Sequence, residues 1–150
     1  MPQSYAALYV HVVFSTKNRV SVLEPDLRKR LFEFCGGLLR SRGSILMTAG
    51  GILDHVHLLV SLSRELAVAE VVRELKARSS KCVHESVPNL SDFAWQNGYG
   101  AFSVSQSGLD AVRDYITRQE EHHRERTFQE EFVILLQRHN FSFDERYLWD

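Results

Sequence analysis

A chain of 150 residues, 44% hydrophobic and 25% charged, is long enough for one domain with a substantial core and has an ordinary globular composition. No apolar run approaches the roughly 18 residues of a membrane span and the N-terminus carries no signal-peptide pattern, so membrane and secreted classes are set aside and a cytoplasmic protein is expected. A net charge of −1 argues against a non-specific polycation, but residues 1–85 hold 12 Lys/Arg against 8 Asp/Glu and residues 86–150 hold 6 against 11, a polarity that permits a basic, nucleic-acid-facing surface beside an acidic C-terminal segment.

The first element is a strand. Tyr5–Ser15 is rich in aromatic and β-branched residues. Its alternation puts Leu8, Val10, Val12 and Phe14 on one face and Tyr9, His11 and Val13 on the other. Asp26, after Pro25, opens a helix with Leu27, Leu31, Phe34 and Leu38 at helical spacing, ending near Gly43. Ser44–Ala49 reads as a second strand, and Gly50-Gly51 as a turn into a third at Asp54–Leu62. A second helix covers Ala67–His84. Val68, Val71, Val72, Leu75 and Cys82 or Val83 form its buried stripe, with Arg73, Lys76, Arg78 and Lys81 on more exposed positions. The two cysteines, Cys35 and Cys82, fall inside these helices without metal-ligand spacing and read as reduced core or near-core residues.

After a loop with Pro88 and Trp95, Tyr99–Ser105 reads as a fourth strand, followed by helices at Gly108–His123 and Thr127–His139. The order β-α-β-β-α-β is the α+β, ferredoxin-like split β-α-β arrangement, here with added C-terminal helices in one domain spanning residues 1–150. Both early helices would cover one sheet face and leave the other for a site. The apolar tail, Phe141, Phe143, Tyr147, Leu148 and Trp149, is expected to pack within the chain or across a dimer.

The chemistry-bearing motif is His55-Val56-His57 on the third strand. Period-two alternation projects both imidazoles from one side, while Val56, Leu58, Val60 and Leu62 fill the other. Paired neutral imidazoles on a rigid strand begin a divalent-metal site. Tyr115 and Gln119, one helical turn apart, share a helix face and could bring a phenol and an amide oxygen to the same cation. A cation or base beside the phenol would help it lose its proton and attack a phosphodiester. Such a pair is also what ordinary helix packing produces.

These motifs resemble the IS200/IS605-type single-tyrosine transposases of the HUH nuclease superfamily, which include the REP-associated tyrosine transposases. The similarity rests on residues 11–19 (HVVFSTKNR), 54–59 (DHVHLL), 76–81 (KARSSK), Trp95-Gln96 with Tyr99-Gly100, and 115–119 (YITRQ). It implies His55, His57 and Gln119 as ligands of Mg²⁺ or Mn²⁺. It also implies Tyr115 as a nucleophile that cuts single-stranded DNA, becomes joined to the 5′ phosphate and leaves a free 3′ hydroxyl. The same resemblance implies hairpin-forming DNA ends as partner and a homodimer, with the tyrosine helix acting on either subunit's histidine pair.

Other candidates follow from position. His122 and His123 could approach the cation or DNA, or sit exposed at a helix C-terminus. His11 fits packing or DNA contact better than ligation. Lys17, Arg19, Arg73, Lys76, Arg78 and Lys81 are candidate phosphate contacts, and Tyr99 and Phe102 candidate stacking residues, although strand aromatics are more often core. Two alternatives stay open: a domesticated, non-catalytic nucleic-acid-binding module, and a rolling-circle or relaxase-type nicking enzyme. The intact four-residue set speaks against the first, and the small size and single tyrosine against the second.

Overall fold

The computed structural model describes residues 3–122 and 126–149. Strands β1 (Tyr9–Ser15), β2 (Ile45–Gly51), β3 (His55–Ser61) and β4 (Gly100–Val104) form one antiparallel sheet in the order β2-β3-β1-β4. Helices α1 (Pro25–Ser41) and α2 (Val68–Ser86) fill the two crossovers, giving the split β-α-β fold. No helix among the described residues is long and apolar enough to cross a membrane.

Strand alternation divides the molecule into two chemistries. Val12 and Phe14 on β1, with Val56, Leu58 and Val60 on β3, meet Leu27, Leu31, Cys35 and Leu39 of α1 and Val71, Val72, Leu75 and Val83 of α2. Pro25, with its fixed φ and missing N–H, takes the first position of α1. Gly43 follows that helix at φ +74°, a conformation glycine adopts without cost. On α2 the buried residue near the end is Val83; Cys82 is half-buried.

The opposite face is covered by α3 (Leu109–Thr117), α4 (Gln119–His122) and α5 (Phe128–Arg138). Leu109 and Ile116 pack on Leu59, while Phe128, Phe132, Leu135 and Leu136 pack on Val13 and Phe102. Burying each α5 side chain contributes roughly 1.5–3 kcal/mol, enough to dock a helix of 11 residues. Thr127 caps α5 by accepting from the Glu130 N–H, and the Glu130 carboxylate returns to the Thr127 N–H.

Three expectations need correction. The first strand begins at Tyr9, and Tyr5 is exposed. The helix expected over residues 108–123 breaks at Arg118 (φ −102°, ψ 26°), so Tyr115 and Gln119 lie on successive helices. Gly50 and Gly51 close β2 rather than forming a turn, and the reversal falls on residues 52–54. Their role is close approach. A Cβ on Gly50 would lie 2.1 Å from the Ile116 carbonyl oxygen, so only glycine lets α3 sit this low on β2. In the tail, Phe143, Leu148 and Trp149 pack on the α5 cluster, whereas Phe141 and Tyr147 are exposed.

Candidate active site

β3 turns His55, His57 and Leu59 toward the α3–α5 layer, and both imidazoles are fully buried (0% exposed). A buried imidazole needs partners for both nitrogens. His55 Nδ1 lies 2.8 Å from Asp54 Oδ1, and its Nε2 lies 3.0 Å from Gln119 Oε1 and 3.4 Å from Glu131 Oε1. Burial alone would lower its pKa, but the bonds to Asp54 and Glu131 outweigh it and raise the value to about 9. Protonated His55 therefore donates in both directions.

His57 Nε2 stands 2.9 Å from Glu131 Oε1, and its Nδ1 contacts His11 Nε2 at 2.8 Å. His11 lies across from Leu59 in the register, hence diagonal to His57 on the same sheet face. Burial, then the neighbouring His57, hold the His11 pKa down at about 3, so this imidazole is neutral and can give or take one hydrogen bond. His11 thus contacts His57 from outside the His55, His57 and Glu131 group, a position suited to orienting that ring.

Tyr115 enters from α3, and its hydroxyl donates to Glu131 Oε2. Burial first, then the Glu131 carboxylate, push its phenol above the ordinary range. The break at Arg118 still leaves Gln119 within 3.4 Å of the Tyr115 carbonyl, through its amide nitrogen, and its oxygen faces His55. Gln119 is 1% and Glu131 3% exposed.

Two imidazole nitrogens and one carboxylate oxygen, from His55, His57 and Glu131, gather as a group that could hold a metal ion. Gln119 adds an amide oxygen. Donors about 2.1 Å from a small cation stand roughly 3 Å apart; three of the contacts here are 2.9, 3.0 and 3.4 Å, and the His55, His57 and Glu131 ligand atoms all lie within 4.8 Å of one another. The acceptors aimed at the His55 Nε2 proton are those a cation in its place would meet. Asp54 on Nδ1 and His11 on His57 Nδ1 supply the outer hydrogen bonds that fix ring orientation. The donor set fits a hard divalent ion.

Sequence reasoning brought His55, His57, Tyr115 and Gln119 together but missed Asp54 as an orienting group and Glu131 altogether. A signal for Glu131 existed. It falls three residues after Phe128 and four before Leu135, a carboxylate on the apolar stripe of its helix.

The remaining candidates are scattered. Lys17 is exposed after β1. Arg19 donates to the Trp149 carbonyl at 3.1 Å and lies over its ring. The Lys76 ammonium is held by the carbonyls of Gln96, Asn97 and Gly98 at 2.6–3.2 Å. Burial lowers its pKa to about 8, while the three acceptors favour its charge. Arg73, Arg78 and Lys81 stand on the outer side of α2, in the layer across the sheet from the imidazoles, with Arg78 near Glu74 and Lys81 near Glu85. Phe102 is core, and Tyr99 lies under Lys76. His122 is the last residue of α4, and His123 lies outside the described residues.

The chain is similar to known proteins. The chain is 26% identical over 117 residues to the ISDra2 transposase TnpA of Deinococcus radiodurans, covering 75% of this chain and 84% of that protein. It is 24% identical over 115 residues to the transposase of insertion element IS200 from Salmonella typhimurium, covering 73% and 74%. A crystal structure from Deinococcus radiodurans R1 described as a transposase superposes with a TM-score of 0.64 at 22% identity, over 77% of this chain and 94% of that one. A REP-associated tyrosine transposase bound to a REP hairpin superposes at 0.56 and 17% identity, over 77% and 68%. Residues 4–119 match the model described as "Transposase IS200 like", and the chain belongs to that transposase family.

Proposed function

We propose that this protein is a metal-dependent endonuclease and strand transferase of single-stranded DNA, with Tyr115 as the nucleophile. The observation that carries the reading is convergence: half-buried Tyr115, buried Gln119 and the two buried imidazoles, from separate elements, meet in one cluster. His55, His57, Gln119 and Glu131 would hold Mg²⁺ or Mn²⁺, which when bound would offset phosphate charge and orient the scissile group.

The protein's own groups carry the steps. Tyr115 Oη attacks phosphorus, the P–O3′ bond breaks, and the departing 3′ oxygen takes a proton from water. The 5′-phosphotyrosine keeps the energy of the diester, so attack by another 3′ hydroxyl rejoins DNA without a nucleotide cofactor. Buried His55, His57 and Gln119 hold the site rigid, and Asp54 and His11 keep the rings aimed. In the single chain these groups already lie together, and assembly with a partner's tyrosine helix is the other arrangement that the dimer test addresses. A homodimer remains part of the proposal, checked by light scattering in solution.

Hairpin-forming single-stranded ends are the proposed substrate, in line with the REP hairpin held by one structural neighbour. Lys17, Arg73, Arg78 and Lys81 are the proposed phosphate contacts. Arg19 and Lys76 already bond protein carbonyls and would contribute less. The test is a denaturing gel of protein with labelled hairpin-bearing oligonucleotides and Mg²⁺ or Mn²⁺. A covalent adduct lost in Tyr115→Phe, with joined products on longer incubation, supports the reading. Binding without any adduct identifies a domesticated binder instead.

A further inference from the structure

We infer that Glu131 is a catalytic residue, holding the Tyr115 hydroxyl through one carboxylate oxygen and facing the two imidazoles through the other, and that it takes the phenolic proton as Tyr115 attacks. The inference rests on the proposed tyrosine chemistry and adds a residue to it. The family match ends at residue 119, so Glu131 lies beyond the segment that defines the resemblance.

A carboxylate in this position is costly. Glu131 is 3% exposed among Phe128, Phe132 and Leu135 on the inward side of α5. A carboxylate moved from water into such a place loses several kcal/mol of solvation unless partners restore it. A leucine there would extend the stripe at no such expense, so the acid's presence calls for a role that only a carboxylate fills.

Its two oxygens are also aimed. Oε1 lies 2.9 Å from His57 Nε2 and 3.4 Å from His55 Nε2, while Oε2 accepts from the Tyr115 hydroxyl. One carboxylate thus spans the proposed ligand pair and the proposed nucleophile. A general base must sit within hydrogen-bond reach of the proton it removes, and Glu131 does. His11 and His57 approach the Tyr115 ring edge-on, at centroid distances of 6.2 and 5.8 Å.

The balance is simple. The Tyr115 O–H bond breaks and its proton passes to Oε2 of Glu131, the O–P bond forms, and the P–O3′ bond breaks. On rejoining, the incoming 3′ hydroxyl loses its proton to water, and Glu131 returns its proton to the leaving phenolate. The capping box and the apolar face of α5 are then the devices that hold this carboxylate in place.

The test compares wild type, Glu131→Gln and Glu131→Asp, each at Mn²⁺ concentrations that saturate it. Expected for Glu131→Gln is a fall in the adduct rate of about 10²–10⁴-fold, with hairpin-DNA affinity within about threefold and Mn²⁺ affinity reduced about tenfold or more. Glu131→Asp keeps the charge and should fall in between, which guards against a misfolded glutamine variant. Replacing Tyr115 by a fluorotyrosine of lower phenol pKa should speed Glu131→Gln more than wild type, a response that a purely structural role does not give. An adduct rate in Glu131→Gln within about fivefold of wild type, or equal fluorotyrosine effects in both backgrounds, overturns the inference while leaving the tyrosine reaction standing. Wild type that forms no adduct with any hairpin tried sinks the proposed reaction and the base with it.

Discussion

The two faces of the sheet are built from alternate residues of the same strands, yet they do opposite work. Toward α1 and α2, Val12, Phe14, Val56 and Leu58 close an apolar layer. Toward α3 and α5, their immediate neighbours His11, His55 and His57 meet Gln119, Glu131 and Tyr115. The first face gains from every methylene removed from water. The second buries polar groups that only break even when all are paired. The proposed chemistry thus lies on one side of the sheet only, beside apolar residues such as Ile116 and Phe128, so substitutions on the α1–α2 side should leave its readout largely untouched.

The largest expected effect is on the polar face. Tyr115→Phe should abolish adduct formation on a denaturing gel while hairpin-DNA affinity changes less than about threefold; a persistent adduct would move the nucleophile elsewhere. Next comes Gly50→Ala. Its methyl group would collide with the Ile116 carbonyl and lift α3, so Tyr115 should lose its place over the imidazoles. Expected are a destabilisation of about 1–3 kcal/mol in urea melts and a loss of cleavage of 10²-fold or more.

Leu58→Ala probes the apolar face. It should cost about 2–5 kcal/mol of unfolding free energy with Mn²⁺ affinity, read by titration calorimetry, unchanged within about twofold. A large loss of metal affinity in this variant would show that the faces are coupled. The smallest effect is a pH slope. His11 stays neutral in the fold, with a pKa of about 3, and in the unfolded chain titrates near 6.5. The unfolded state therefore binds the extra proton as pH drops, so this contribution is complete above pH 6.5 and is lost as pH falls toward 3. For the metal-free protein the slope attributable to His11 is at most about 1.4 kcal/mol per pH unit. Urea melts at pH 6.5 and 5 should show it in wild type and not in His11→Gln.

Much of this architecture could be read before any coordinates. Alternation in β1 and β3 assigned the faces, because a strand's period is two whatever its neighbours. His55 and His57 also lie beside Tyr115 and Gln119, the residues the sequence singled out as candidates. What escaped was non-local. Gly50-Gly51 looks like a turn, since local sequence does not show that Ile116 will press on Gly50. The break at Arg118 is invisible in a helix-forming run. The helical pattern of α2 shows Lys76 as an outward cation and gives no sign that the carbonyls at residues 96–98 will hold its ammonium. Glu131 was absorbed into an acidic stretch, although its register among the α5 apolar residues singled it out.

The polar cluster draws on β1, β3, α3, α4 and α5, from His11 to Glu131. A chain still being made on the ribosome, with α5 inside the exit tunnel, would own the imidazoles and the tyrosine but lack the helix that roofs them and the acid that ties them together. Assembly of the cluster is therefore a late event, waiting until α5 has emerged and docked on the sheet.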